Sequence, residues 1–126
     1  MKGTKPQLVV DNGAIRKTER APSFLSKDAK TEWRRIMPAL VKRRILTVAD
    51  LGSVENYCIA IGRVRQVERH LQEDGGAPDP AMVRMQDKAI QTARQLAAEL
   101  GQTPVSRARP VIRDENDDGD LNDLGL

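Results

Sequence analysis

Leu51-Gly52-Ser53-Val54-Glu55-Asn56-Tyr57-Cys58-Ile59-Ala60-Ile61-Gly62-Arg63-Val64-Arg65-Gln66-Val67-Glu68-Arg69-His70-Leu71 is the stretch that decides the fold. Its residues Leu51, Val54, Cys58, Ile61, Val64, Val67 and Leu71 recur at steps of three and four. That is a seam of nearly heptad period, the pattern of a helix packed lengthwise along another. Just upstream, Thr47-Val48-Ala49-Asp50 has the form of a capping box, with Asp in place of Glu. Downstream, Asp74-Gly75-Gly76 stops the helix, and Pro78 and Pro80 keep the connection open. Asp79 is a cap for the next helix, with Pro80 at its first position. Met82, Met85, Ala89, Ala93, Leu96 and Leu100 continue a similar period there, and the small Ala89 and Ala93 let a neighbouring backbone approach. The spacing predicts a long antiparallel helical hairpin.

Upstream of the hairpin, a further helix begins near Ser26, which caps it, with Asp28 well placed in its first turn. Ala29, Trp33, Ile36, Leu40 and Val41 fall on one face. Pro38 removes an intrahelical hydrogen bond and predicts a kink or a split. This helix is expected to pack across one end of the hairpin. No segment alternates as a strand does, so the fold class is all-α. Residues 1–21 mix Gly3, Pro6 and Gly13 with Lys2, Lys5, Arg16, Lys17 and Arg20, without a sustained period. They read as a disordered basic arm, ahead of a helical domain at 22–109 and a disordered acidic tail at 110–126.

Composition limits what the chain can do. Its 126 residues allow one domain plus tails, and Phe24, Trp33 and Tyr57 are the only large aromatic core anchors. With 31% charged residues and a mean hydropathy of −0.54, the monomer has little apolar surface to bury. Thin cores of this size need disulfides, metals or partners. Cys58 is the only cysteine and His70 the only histidine, so neither a disulfide nor a zinc site can form within one chain, and self-association is the remaining route. No apolar run suggests a signal peptide or a membrane span.

The net charge of +3 hides a division. Asp114, Glu115, Asp117, Asp118, Asp120 and Asp123 crowd a tail that has no Lys or Arg, which leaves the rest at +9. A basic body suits a polyanionic partner. Arg34, Arg35, Lys42, Arg43 and Arg44 lie off the apolar stripe of the first helix, and more cations wait on the arm and at Arg107 and Arg109. All of these are candidate DNA contacts, set against the plainer reading of solvated faces. Trp33, Ile36, Leu40, Leu51, Val54, Cys58, Ile61, Val64, Leu96 and Leu100 are the candidate core and oligomer contacts. In the tail, Leu121 and Leu124 stand three apart, as apolar anchors for a partner.

Catalysis has no visible machinery. There is no phosphate-binding G-x-x-x-x-G-K-[ST] loop, and no spacing suggests a nucleophile with a base. Asp114, Asn116, Asp118 and Gly119 open like a calcium loop, but the position that needs a bidentate Glu is Gly125. No cofactor or metal is expected. The helix after Thr47 also lacks the polar N-terminal face of a DNA-recognition helix.

Four pieces together carry a family resemblance. Leu100-Gly101-Gln102-Thr103-Pro104-Val105-Ser106-Arg107-Ala108-Arg109 resembles a closing motif of the short, all-helical phage terminase small subunits. Pro22-Ser23-Phe24-Leu25-Ser26-Lys27-Asp28-Ala29-Lys30-Thr31-Glu32-Trp33-Arg34-Arg35-Ile36-Met37-Pro38-Ala39-Leu40 is a second match, and Leu46 to Leu51 and Tyr57-Cys58 lie between them in the right order. The resemblance implies a non-catalytic ring that binds the packaging-initiation site of double-stranded viral DNA. It implies regulation of a large subunit that holds the ATPase and nuclease, and action in the cytoplasm of the infected bacterium outside the mature virion. A small transcriptional regulator or a phage interaction adaptor is the alternative.

Overall fold

A computed structural model describes residues 13–44, 46–73, 75 and 79–103. Helix α1 spans Lys27–Lys42, α2 spans Leu51–Glu73 and α3 spans Pro80–Glu99. All three starts are where the chain's capping chemistry puts them. Ser26 Oγ accepts from the Ala29 N–H at 3.2 Å, and Asp79 Oδ1 accepts from the Ala81 N–H at 2.9 Å. The Asp50 carboxylate accepts from the Thr47 N–H at 2.8 Å and from its hydroxyl at 2.9 Å. This capping box closes one 3-10 turn, Val48–Asp50, before α2 proper begins. Gly101, at φ +73°, takes the left-handed turn beyond α3.

Helix α2 is the central element. Among the described residues, α1 and α3 each pack on α2, and their backbones do not meet each other. Two charge pairs set the course of α1. Asp28 pairs with Arg69, and one turn later Glu32 pairs with Arg65, so the helices run in opposite directions. Helix α1 therefore lies lengthwise along α2 rather than across an end. It also runs through Pro38 without ending or splitting there. The proline is on the exposed face, where solvent can satisfy the Arg34 carbonyl that loses its donor.

Burial differs from the candidate core at several positions. Glu32, in the middle of the apolar stripe of α1, is fully buried. Phe24, expected as a core anchor, is 68% exposed. Val54 and Cys58 are fully buried, but Leu51, Ile61 and Val64 are only partly covered. Tyr57 is buried, as a core anchor should be, and Ala60 and Gly62, which lie off the seam, are buried too, because α2 is covered on two sides and no single stripe describes it. At Gly62 the approach is close: a Cβ there would stand 3.1 Å from the Ala29 nitrogen and 3.2 Å from Ser26 Oγ.

Part of the segment that composition assigns to the basic arm falls within the described residues. Residues 13–21 lie against the helices. Ala14 bridges to Thr47, and the Ile15 N–H donates to the Leu46 carbonyl at 2.7 Å. The Ile15 side chain is buried, and Trp33 Nε1 donates to the Glu19 carbonyl at 2.8 Å. One apolar residue and one indole N–H are enough to fix a segment that composition marks as loose.

Candidate nucleic-acid interface

Because residues 18–23 cross the outer face of α1, they enclose a cleft of about 670 Å³. Its floor is apolar, formed by Ala21, Trp33, Met37 and Pro38. Around it stand three cations, Arg20 from the segment and Lys30 and Arg34 one helical turn apart on α1, with the hydroxyls of Thr18 and Ser23. Glu19 is the one acidic side chain in the lining. None of the three cations makes an ion pair among the described residues. Trp33 is 2% exposed, so it supports the floor and offers no stacking face. The cleft can take a phosphate group by charge and hydroxyl donors, and it has nothing with which to read a base.

The structure sorts the other candidate cations. Arg35 is engaged: its Nε and Nη2 donate to the two Glu32 oxygens at 2.9 and 2.6 Å. Arg43 is half-buried and donates to the Gly101 carbonyl, which ties the end of α1 to the turn after α3. Lys42 and Arg44 are at the same end, both exposed. Arg44 has φ +58°, a left-handed turn that a non-glycine residue enters at a cost of about 1–2 kcal/mol. Arg16 and Lys17 are exposed on the ordered segment. Lys2, Lys5, Arg107, Arg109, Leu121 and Leu124 lie outside the described residues.

Beneath this surface is a buried charge cluster that sequence reasoning missed. Glu32 accepts from Arg35 on both oxygens, from Tyr57 Oη at 2.7 Å and from Arg65 Nη2 at 3.0 Å. Burial pushes the Glu32 carboxyl upward, but the hydrogen bonds from Arg35, Tyr57 and Arg65 outweigh it and hold the group below the ordinary value. The effect on its neighbours has the opposite sign. Burial, with Glu32 beside it, pushes the Tyr57 hydroxyl up to about 12. Burial pushes the Cys58 thiol up to about 12 as well, so this cysteine is an inert core residue. A signal for Glu32 was present: it falls between Ala29, Trp33 and Ile36 at helical spacing, three residues before an arginine. Lys30 could have been found four residues before Arg34, on the same face.

Comparison with family models finds a match described as phage terminase, small subunit, over residues 29–117. The match covers most of the chain, and the protein belongs to this family of phage DNA-packaging proteins. No curated protein and no solved structure matches the chain. The family is generally non-catalytic. Among the described residues no helix is long and apolar enough to cross a membrane.

Proposed function

We propose that this chain is the non-catalytic subunit that marks viral DNA for packaging and regulates the large ATPase and nuclease subunit. In this reading several copies form a ring, with the paired helices α2 and α3 as its repeating hairpin. Cleft cations grip the phosphate backbone, and the acidic tail with Leu121 and Leu124 engages the large subunit. Action in the host cytoplasm, outside the mature virion, follows from that role. One observation carries the DNA assignment. The ordered segment and α1 bring Arg20, Lys30 and Arg34 around one cleft, with no ion-pair partner among the described residues.

Light scattering on the full chain, with and without duplex from the viral end, tests the ring. A single species of many subunits is expected; a monomer throughout, or a dimer on a palindromic site, removes the reading. Salt titration tests the cleft. Combined Arg20→Ala, Lys30→Ala and Arg34→Ala should weaken binding to all duplexes. The log–log salt slope should become shallower by about 0.9 for each phosphate that is no longer neutralised. Arg84→Ala, on α3 outside the cleft, should leave the slope unchanged. Equal slopes for wild type and the triple variant would remove the cleft from the interface.

A further inference from the structure

A second concavity, on the side of α2 away from the phosphate cleft, has no role in that reading. It is a groove of about 930 Å³ between α2 and α3. Ile59, Ala60, Val67, Met85 and Leu96 supply apolar lining, and Met85 is 58% exposed. Two cations, Arg63 on α2 and Lys88 on α3, line the same groove. Gln86 Nε2 donates to the Val64 carbonyl and to Glu68 Oε1, a register that brings Arg63 and Lys88 to about one level across it. Neither cation has an ion-pair partner among the described residues, and the one acidic lining residue, Glu99, stands toward the end of α3. The groove therefore has apolar patches set among the uncharged polar side chains of Asn56, Gln66, Thr92 and Gln95, and it is positive in its middle.

The chain carries a segment of matching chemistry. Asp120-Leu121-Asn122-Asp123-Leu124 puts two leucines three apart, each directly after an aspartate or one residue beyond it in the chain Asp120-Leu121 and Asp123-Leu124, and no cation follows Arg113. It is also within reach. Thr103 is the last described residue and lies just past α3. The eighteen residues from Thr103 to Leu121 can span up to about 60 Å. Helix α3, with 20 residues, is about 30 Å long. We infer that the groove between α2 and α3 is the seat of the chain's own acidic tail. Leu121 and Leu124 cover its apolar lining, and Asp120 and Asp123 meet Arg63 and Lys88. The inference goes beyond the packaging reading and does not rest on it: in the free chain the groove holds the tail, and a large subunit that engages Leu121 and Leu124 must first displace them from it.

The test is photo-cross-linking in the full chain with Met85→p-benzoylphenylalanine, an exposed position where the bulky side chain disturbs no core. Mass spectrometry should find the adduct on a peptide within 114–126. Arg63→Glu with Lys88→Glu should abolish that adduct, and adding Asp120→Lys with Asp123→Lys should restore it. Placing the probe at Leu124 instead should label the groove residues of α2 and α3. An adduct to a helix of another copy would overturn the inference and make the groove an interface between copies. Absence of any adduct from both probe positions, in chains whose helical circular dichroism is unchanged, would overturn it equally.

Discussion

Helices α1 and α3 both lie on α2, and they are held there in opposite ways. Helix α1 buries six side chains, among them Trp33, Ile36, Met37 and Leu40, and seals a carboxylate under them. Helix α3 buries one, Ala93, and leaves Met85 and Ile90 substantially exposed. Yet the two helices show comparable apolar periodicity in sequence. The difference is one of side-chain size and of polar anchoring. Large residues and a satisfied charge cluster fix α1 in one register, whereas small residues let α3 approach α2 but cover little. A helix held in the first way makes a fixed platform for the cleft. One held in the second way keeps apolar surface for a further partner, whether tail or neighbouring copy.

Removing the polar anchor of α1 should have the largest effect. Glu32→Ala leaves the Tyr57 hydroxyl buried without an acceptor and frees two guanidinium groups that had shared its charge. Because Arg35 and Arg65 are partly exposed and can turn to water, the cost should be near the low end for a broken buried pair, about 3 kcal/mol by urea unfolding. Glu32→Leu with Tyr57→Phe, which removes both polar partners from the core, should recover much of it. The same group sets an acid limit. The folded-state value of Glu32 is depressed, so its contribution is present above the ordinary value of 4.5 and is lost as pH falls below it. Stability of the wild type should therefore drop through that range more steeply than that of Glu32→Gln. Parallel acid limbs would mean that the carboxylate contributes nothing as an anion.

An intermediate effect should come from α3, and through gain of volume. Ala93 is 4% exposed and faces α2. Ala93→Leu has no room to place three more carbons without moving the helix, and overpacking of this kind costs about 1–3 kcal/mol. Were α3 loosely seated, the larger side chain would be accommodated and stability would rise. Thermal unfolding of Ala93→Leu beside Ala93→Gly separates the two cases, since only a close fit penalises both.

How much of this was legible in the sequence depends on what fixed each part. Ser26, Thr47 with Asp50, Asp79 with Pro80, and Gly101 act on their own few neighbours, so helix starts and the turn after α3 could be read directly. The period of α2 showed that it packs against another helix, but not that two helices cover it, which is why Ala60 and Gly62 are buried and Ile61 is only partly so. Glu32 was hidden by its type, because its burial is made tolerable by Tyr57 and Arg65, distant in sequence. The ordered segment at 13–21 likewise depends on partners at Leu46 and Trp33 that composition does not carry. The cleft follows from that segment, so of its cations only Arg20 and Arg34 stand out from the sequence as candidates, and Lys30 does not.

The smallest effect should fall on the exposed surface of α3. Met85 and Ile90 are 58% and 38% exposed, and neither belongs to the buried cluster that joins the helices. Met85→Ser and Ile90→Ser should each change unfolding free energy by no more than about 0.5 kcal/mol, the usual range for surface positions. That is far below the effect expected at Glu32, although methionine and isoleucine are the more apolar residues. The two changes should still differ from each other. Met85 lines the groove between α2 and α3, and Ile90 does not. Deuterium exchange on the full chain reads that difference. Met85→Ser should raise exchange in the groove-lining part of α3 together with residues 114–126, while Ile90→Ser should leave both as in wild type. Equal, larger losses of stability at both positions would show instead that α3 is held by its large residues, and the contrast with α1 would disappear.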